Sequence, residues 1–216
     1  TNKSATPGKT YYYKVVAKLD NCTSTSKIYK VTVRCEKPEV TTKYRTSDGK
    51  PKLVWNNVDS AVKYNVYRSA SGKEGTFKKV FTTTGTSYVN TSATPGKTYY
   101  YKVAAVEKTT SASTFSEVVQ KTCKPAKVKA SGYARDKDGK PRITWNKVNG
   151  AVIYEVYRST SGKEGTFKKQ FETSKTSYNN TAAKAKKTYY YKVRAVTKNG
   201  VKGYFSNVVK VKCTNK

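Results

Sequence analysis

The chain contains no histidine and no methionine, two tryptophans, and only 13 acidic residues against 44 Lys and Arg. Without histidine it lacks the commonest general base and the commonest metal ligand. Its few carboxylates form no constrained pair at the spacing glycoside hydrolysis needs. Asp136 and Asp138 sit in a lysine-rich turn, where Asp138-Gly139 repeats the turn chemistry of Asp48-Gly49. The SGKEG stretches at Ser71–Gly75 and Ser161–Gly165 lack the full G-x-x-x-x-G-K-[ST] spacing of a phosphate loop, and no helical pattern follows. They read as hairpin turns. Neither catalysis nor a cofactor nor a bound metal is expected. No run of about 18 apolar residues occurs, so membrane insertion is not expected either.

The scarcity of acid leaves a formal net charge of +31. Such a field attracts polyanions. Lysine is nevertheless spread over every strand and loop, whereas nucleic-acid binders gather their basic residues on one face. Its predominance over Arg also argues against bidentate phosphate recognition. The expected surface is a solvated lysine coat with some affinity for anionic cell-wall polymers, and no specific nucleic-acid binding.

What is abundant is tyrosine, 19 residues of it, and repetition. TPGKTYYYKV occurs unchanged at Thr6–Val15 and Thr94–Val103 and returns as AKAKKTYYYKV at Ala183–Val193. Trp55 and Trp145 are 90 residues apart, as are Cys123 and Cys213, so Glu39–Cys123 and Lys129–Cys213 align without a gap. Residues 1–35 align onto 89–123 at an offset of 88, which places Cys35 where Cys123 and Cys213 stand. Period defines the organisation: the C-terminal part of one repeat at 1–36, then full repeats at 37–124 and 125–216. A start inside a repeat leads us to expect a piece of a longer parent protein.

No window shows a helical apolar stripe, and Tyr and Thr favour strands. In the first full repeat Val40–Tyr44, Lys52–Asn56, Val62–Arg68, Thr76–Thr82, Thr86–Asn90, Lys97–Val106 and Thr114–Thr122 read as strands, with a turn at Thr109–Ser113. Period-2 alternation points Leu53, Trp55, Tyr64, Val66, Tyr99, Tyr101 and Val103 inward; the second repeat copies this with Ile143, Trp145, Tyr154, Val156, Tyr189, Tyr191 and Val193, and with Phe167 and Tyr178 marking the two strands between. Seven short strands with turns every 8–12 residues make an all-β, two-sheet sandwich.

The order L-x-W, Y-x-V-Y-R and P-G-K-T-Y-x-Y-x-V-x-A-V resembles the fibronectin type III domain, an immunoglobulin-like sandwich. The resemblance implies a Trp on strand B, at Trp55 and Trp145, and a tyrosine opening strand F, at Tyr99, Tyr189 and Tyr11. Residues 1–36 would then supply only an F–G hairpin. Trp55, Tyr64, Tyr99, Tyr101, Trp145, Tyr154, Tyr189 and Tyr191 are the implied core. Ala185-Lys186 replaces Pro95-Gly96, which loosens the turn before Tyr189. The wording A-V-x-Y-x-V-Y-R-S-x-S-G-K-E-G-T-F-K-K further resembles arrays in large surface and secreted proteins of Gram-positive bacteria.

Two sets of residues stand out as candidates for contact. Tyr100, Lys102, Tyr190 and Lys192 face away from the core and could stack on a sugar or base. Cys35, Cys123 and Cys213 lie a domain length apart, too far for an internal disulfide, and Cys22 falls in the F–G loop at the other pole from Cys35. They are either inert thiols or intermolecular cross-linkers. The expected role is a non-catalytic spacer and adhesion module, secreted or on the cell surface. Its partner would be a protein or an anionic wall polymer, with the complementary upstream fragment of the parent as a further candidate. Two alternatives stand beside it: a proteolytically released ligand of host receptors, and accessory spacer domains of a polysaccharide-degrading enzyme.

Overall fold

In a computed structural model, residues 2–108 and 113–214 are described; the turn expected at Thr109–Ser113 falls largely outside them. The described residues form strands and turns with no helix. The chain divides into two compact units, Thr1–Thr42 with Leu53–Tyr88 and Tyr99–Gln120, and Lys43–Lys52 with Val89–Thr98 and Lys121–Lys216.

The N-terminal segment holds β1 (Thr10–Tyr13), β2 (Val16–Leu19), β3 (Cys22–Thr25) and β4 (Tyr29–Thr32). The first full repeat follows with β5 (Val40–Tyr44), β6 (Pro51–Trp55), β7 (Ala61–Ser69), β8 (Lys78–Thr83), β9 (Ser87–Val89), β10 (Thr98–Glu107), β11 (Ser113–Phe115) and β12 (Val119–Thr122). A three-stranded sheet β5-β6-β9 faces a sheet ordered β11-β10-β7-β8, with β12 also on β10. Between them lie Leu53, Trp55, Val58, Tyr64, Val66, Tyr101, Val103 and Ala105, all buried. Full burial of each large side chain contributes about 1.5–3 kcal/mol. Tyr64 also closes the β6–β7 loop, since its hydroxyl oxygen accepts the Val58 amide at 2.8 Å.

The second repeat has β13 (Ala130–Ala134), β14 (Pro141–Trp145), β15 (Ala151–Ser159), β16 (Lys168–Thr173), β17 (Ser177–Asn179), β18 (Thr188–Thr197) and β19 (Val209–Lys212). Sheets β13-β14-β17 and β16-β15-β18-β19 enclose Ile143, Trp145, Tyr154, Val156, Tyr191, Val193 and Ala195. Tyr189 is buried and its hydroxyl oxygen accepts the Lys184 amide at 3.1 Å, so the corner tyrosine holds although the turn before it lacks Pro-Gly. Lys186 takes the left-handed φ of 59° that a glycine would adopt freely. Tyr99 is only half-buried, packed on the rim of its core.

The structure corrects two expectations about strand G. It does not run unbroken over Thr114–Thr122: at Ser116 the chain steps away, the Ser116 hydroxyl accepting the Val103 amide and its own amide donating to the Val103 carbonyl. Nor does Cys35 occupy the place of Cys123 and Cys213. Those two amides donate to Lys97 and Lys187, but on the Lys9 carbonyl it is Val33 that sits. Tyr11 accordingly pairs with Val31, where Tyr189 pairs with Val211. The cause is a two-residue turn at Asp20-Asn21, with Asp20 at φ 38°, which closes Leu19 directly onto Cys22. A slip of two residues keeps every side chain on its face, so alternation could not reveal it. Cys35 instead packs into the first repeat's core, its amide donating to the buried Glu107 carboxylate at 2.5 Å.

In the N-terminal segment β1 pairs with β4 and β2 with β3. Leu19, Ile28 and Tyr29 are exposed there, and Val15 is 67% exposed while Val103 in the identical decapeptide is 0%. Two-stranded hairpins of this kind are marginal in water. Amides of residues 10–32 should therefore exchange with solvent far faster than those of β7 and β10. Protection equal to that of β10 in hydrogen-exchange mass spectrometry would show that this segment has its own stable core.

Candidate functional site

The outer face of strand F was the expected contact surface, and it is already occupied. In the second repeat the loop after β15 folds back over β18. Ser159 Oγ accepts the amides of Ser161 and Gly162 and meets Thr166 Oγ1 at 2.6 Å, which turns the SGKEGT stretch into a compact clasp. Gly162, at φ 76°, lies flat on the Tyr190 ring, and a Cβ there would sit 2.7 Å from a ring carbon. Lys192 is buried at 7% exposure, so it is not the exposed contact residue expected. Its ammonium lies 4.5 Å from the Phe167 ring centroid, 4.4 Å from that of Phe205, and 2.7 Å from the Glu164 carboxylate. Phe167 thus serves this cation sandwich. The first repeat builds the same clasp: Gly72 on Tyr100, and Lys102 between Phe77 and Phe115 with Glu74 at 3.0 Å. Tyr100 and Tyr190 are half-buried beneath their glycines. A lysine flanked by two rings and a carboxylate is held by cation–π and ionic attraction together. These four residues hold a loop in place.

Beside the clasp, the second repeat carries an ion network that reading the sequence missed. Glu155 on β15 is 3% exposed and stands directly across from Arg194 on β18. Arg194 Nε donates to Glu155 Oε2 at 2.6 Å, and Lys202 Nζ reaches Glu155 Oε1 at 3.2 Å. The Tyr157 hydroxyl donates to Glu155 and accepts from Arg194, whose guanidinium lies 4.6 Å from the Phe205 centroid. Burial pushes the Glu155 carboxyl pKa up, but hydrogen bonds from Arg194 and Lys202 outweigh it and leave the group below its ordinary value. A signal was there: Asn65 and Ala104 of one repeat become Glu155 and Arg194 in the next, two changes at positions the sheet pairs.

The thiols separate cleanly. Cys35, Cys123 and Cys213 are buried and Cys22, opening β3, is exposed; all are free. Burial pushes the Cys123 thiol up to about 11 and raises Cys35 and Cys213 as well. Because only the thiolate reacts, one of the four thiols should react promptly with a disulfide reagent in the native protein, and all four after unfolding. A thiol titration giving two or more fast equivalents, or none, would contradict this. Cross-linking between chains is open to Cys22.

A second surface feature came from no pattern along the chain. At the open side of the second sandwich, Phe171 on β16 and Tyr178 on β17 pack at 5.5 Å and 33°, and Phe171 is 49% exposed. They line a groove of about 430 Å³ together with Thr173, Lys175, Ser177, Asn179 and Thr181. In the first repeat Phe81 and Tyr88 form the same pair at 5.2 Å and 34°. Among the described residues no group of three or more His, Cys, Asp or Glu could hold a metal ion, and no helix is long and apolar enough to cross a membrane.

No family model matches the chain. An amylopullulanase of Thermoanaerobacter thermohydrosulfuricus is 38% identical over 76 residues, 35% of this chain and 5% of the enzyme. A poly(3-hydroxybutyrate) depolymerase of Ralstonia pickettii is 37% identical over 92 residues, 41% of this chain and 17% of that protein. The chain thus matches only a small part of the length of these relatives. Among solved structures, a two-domain fibronectin type III segment of chicken tenascin superposes with a TM-score of 0.52 at 13% identity, over 82% of this chain and 98% of its own. With a three-stranded sheet paired to a five-stranded one in the first repeat and to a four-stranded one in the second, strand-B tryptophans and corner tyrosine, the chain has the fold of tandem fibronectin type III β-sandwiches.

Proposed function

We propose that the chain is a non-catalytic accessory segment of a secreted bacterial polymer-degrading enzyme, where its sandwiches space the catalytic module and hold it near the polymer. One observation carries this role. Identity of 38% and 37% is confined to 5% and 17% of two relatives whose names denote enzymes acting on different polymers. A module shared by enzymes of unlike chemistry supplies something other than the chemistry. The reading frame around this segment should encode a hydrolase, and deleting the repeats should slow attack on insoluble polymer while leaving soluble oligomers unaffected. A frame with no hydrolase overturns the accessory role.

The net charge of +31 favours a second role, adhesion to anionic wall polymers. Binding through a dispersed lysine coat is weak and strongly screened by salt. Retention on teichoic acid should therefore be lost by about 0.3 M salt. Tight binding that survives that salt would point to a built anion site instead.

A further inference from the structure

We propose that the groove between β16 and β17 is a contact site for a neutral polysaccharide, with a sugar ring stacked on Phe171 and its hydroxyls bonded to the surrounding side chains. The choice of ligand rests on the accessory role. Phe171 and Tyr178 come from edge strands of opposite sheets and could simply seal the sandwich, yet Phe171 keeps 49% of its surface in water. A pyranose has an apolar C–H face and a rim of hydroxyls that both donate and accept. The groove answers both: a tilted pair of rings, then Thr173, Ser177, Asn179 and Thr181. Its volume, about 430 Å³, suits one or two sugar rings.

Charge narrows the choice. The lining has one cation, Lys175, and no carboxylate, and the nearby Lys140 ammonium is engaged by the Thr181 carbonyl at 2.5 Å. No cluster of free cations marks the groove for an anionic polymer, and a neutral one is not penalised here. Phe81, Thr83, Ser87, Tyr88 and Thr91 repeat Phe171, Thr173, Ser177, Tyr178 and Thr181 at a spacing of 90, with Gly85 and Val89 in place of Lys175 and Asn179; Phe81 is likewise exposed, by 44%, beside a half-buried Tyr88. Two weak sites on one chain suit a ligand that is itself a repeating polymer, because avidity multiplies modest affinities.

The test is two-dimensional NMR of the whole 216-residue chain titrated with maltohexaose and, separately, cellohexaose. Saturable shifts should appear at residues 171–181 and at their counterparts 81–91 for at least one of the two sugars. Phe171→Leu, which keeps the apolar seal without the ring, should weaken binding at the second groove about tenfold, the effect of losing one good stacking contact. No shift from either hexaose at about 10 mM, tenfold above a millimolar Kd, overturns the proposal. So do shifts confined to other residues, or an unchanged Kd in Phe171→Leu. Binding of an extended peptide along β16 with no response to sugar would reassign the groove to strand addition. A hydrolase in the surrounding reading frame, combined with silent sugar titrations, would remove the sugar site and leave the accessory role standing.

Discussion

Trp145→Ala should lower the stability of the second repeat by about 3–5 kcal/mol, the cost of lost burial plus the cavity left behind. Trp145 is 7% exposed and its ring packs on Tyr154 at 5.6 Å between centroids. Its indole Nε1 finds no hydrogen-bond partner among the described residues, and neither does that of Trp55. The two tryptophans are therefore held by shape and apolar contact alone. It follows that Trp145→Phe should cost much less, within about 1.5 kcal/mol of the wild type. The smaller ring leaves some space, but it also removes a buried unpaired donor, which costs about 1–3 kcal/mol where it stands. Calorimetry of the two variants reads both effects. Trp55 fluorescence, the one indole signal left in either variant, reads the surroundings of the first repeat's core separately. A loss below about 1 kcal/mol for the Ala variant, or a Phe variant as damaged as the Ala variant, would show that the indole does something this packing does not include.

Arg194→Met should destabilise the second repeat at neutral pH by up to about 3 kcal/mol, the lower bound for stranding a buried charge, because Lys202 and the Tyr157 hydroxyl still meet the Glu155 carboxylate. The reverse substitution, Glu155→Gln, should cost less. Gln still accepts from Arg194, and the guanidinium can turn toward water while Lys202 is already half-exposed. The pH dependence distinguishes this from simple loss of packing. With Arg194 present, the Glu155 pKa is lowered in the folded state, so its contribution is present above the unfolded value of about 4.5 and is lost as the pH falls below it. Without Arg194 the largest lowering contribution is gone while Lys202 remains, so the folded pKa rises toward the unfolded one. The acid limb then flattens: Arg194→Met should lose less stability than wild type as the pH falls through that value. Denaturant midpoints at several pH values, for wild type, both single variants and the double variant, give the coupling directly. Parallel acid limbs in wild type and Arg194→Met would show that Glu155 is not held as described.

Which of these features could be read along the chain follows from how local each one is. Alternation identified Leu53, Trp55, Tyr64 and Val66 because the pleat turns successive side chains to opposite faces, whatever lies beyond. The corner tyrosine was legible for a similar reason: the Tyr189 hydroxyl reaches an amide only five residues upstream. Phe171 and Tyr178 were not legible as a groove, because they sit on strands that never pair, and only the approach of two sheets brings them together. Lys192 looked exposed on the face opposite Tyr191 because alternation says which side a residue takes and not what covers that side. The covering loop is held there by Ser159 and by the bare backbone of Gly162.

The sequence by itself determined the period, the strands and the inward faces, all of which depend on neighbours a few residues away. Tertiary structure decided register and burial. The decapeptides Thr6–Val15 and Thr94–Val103 are identical, and both enter a strand at the same threonine, Thr10 and Thr98, although β1 stops at Tyr13 while β10 runs on through Val103. Yet Val103 is fully buried and Val15 is two-thirds exposed, because burial needs an opposing sheet that no property of the strand can supply. Likewise the two-residue slip that sends Cys35 into the first repeat's core was decided by how tightly Asp20-Asn21 turns, while the facing of every residue along β4 stayed the same.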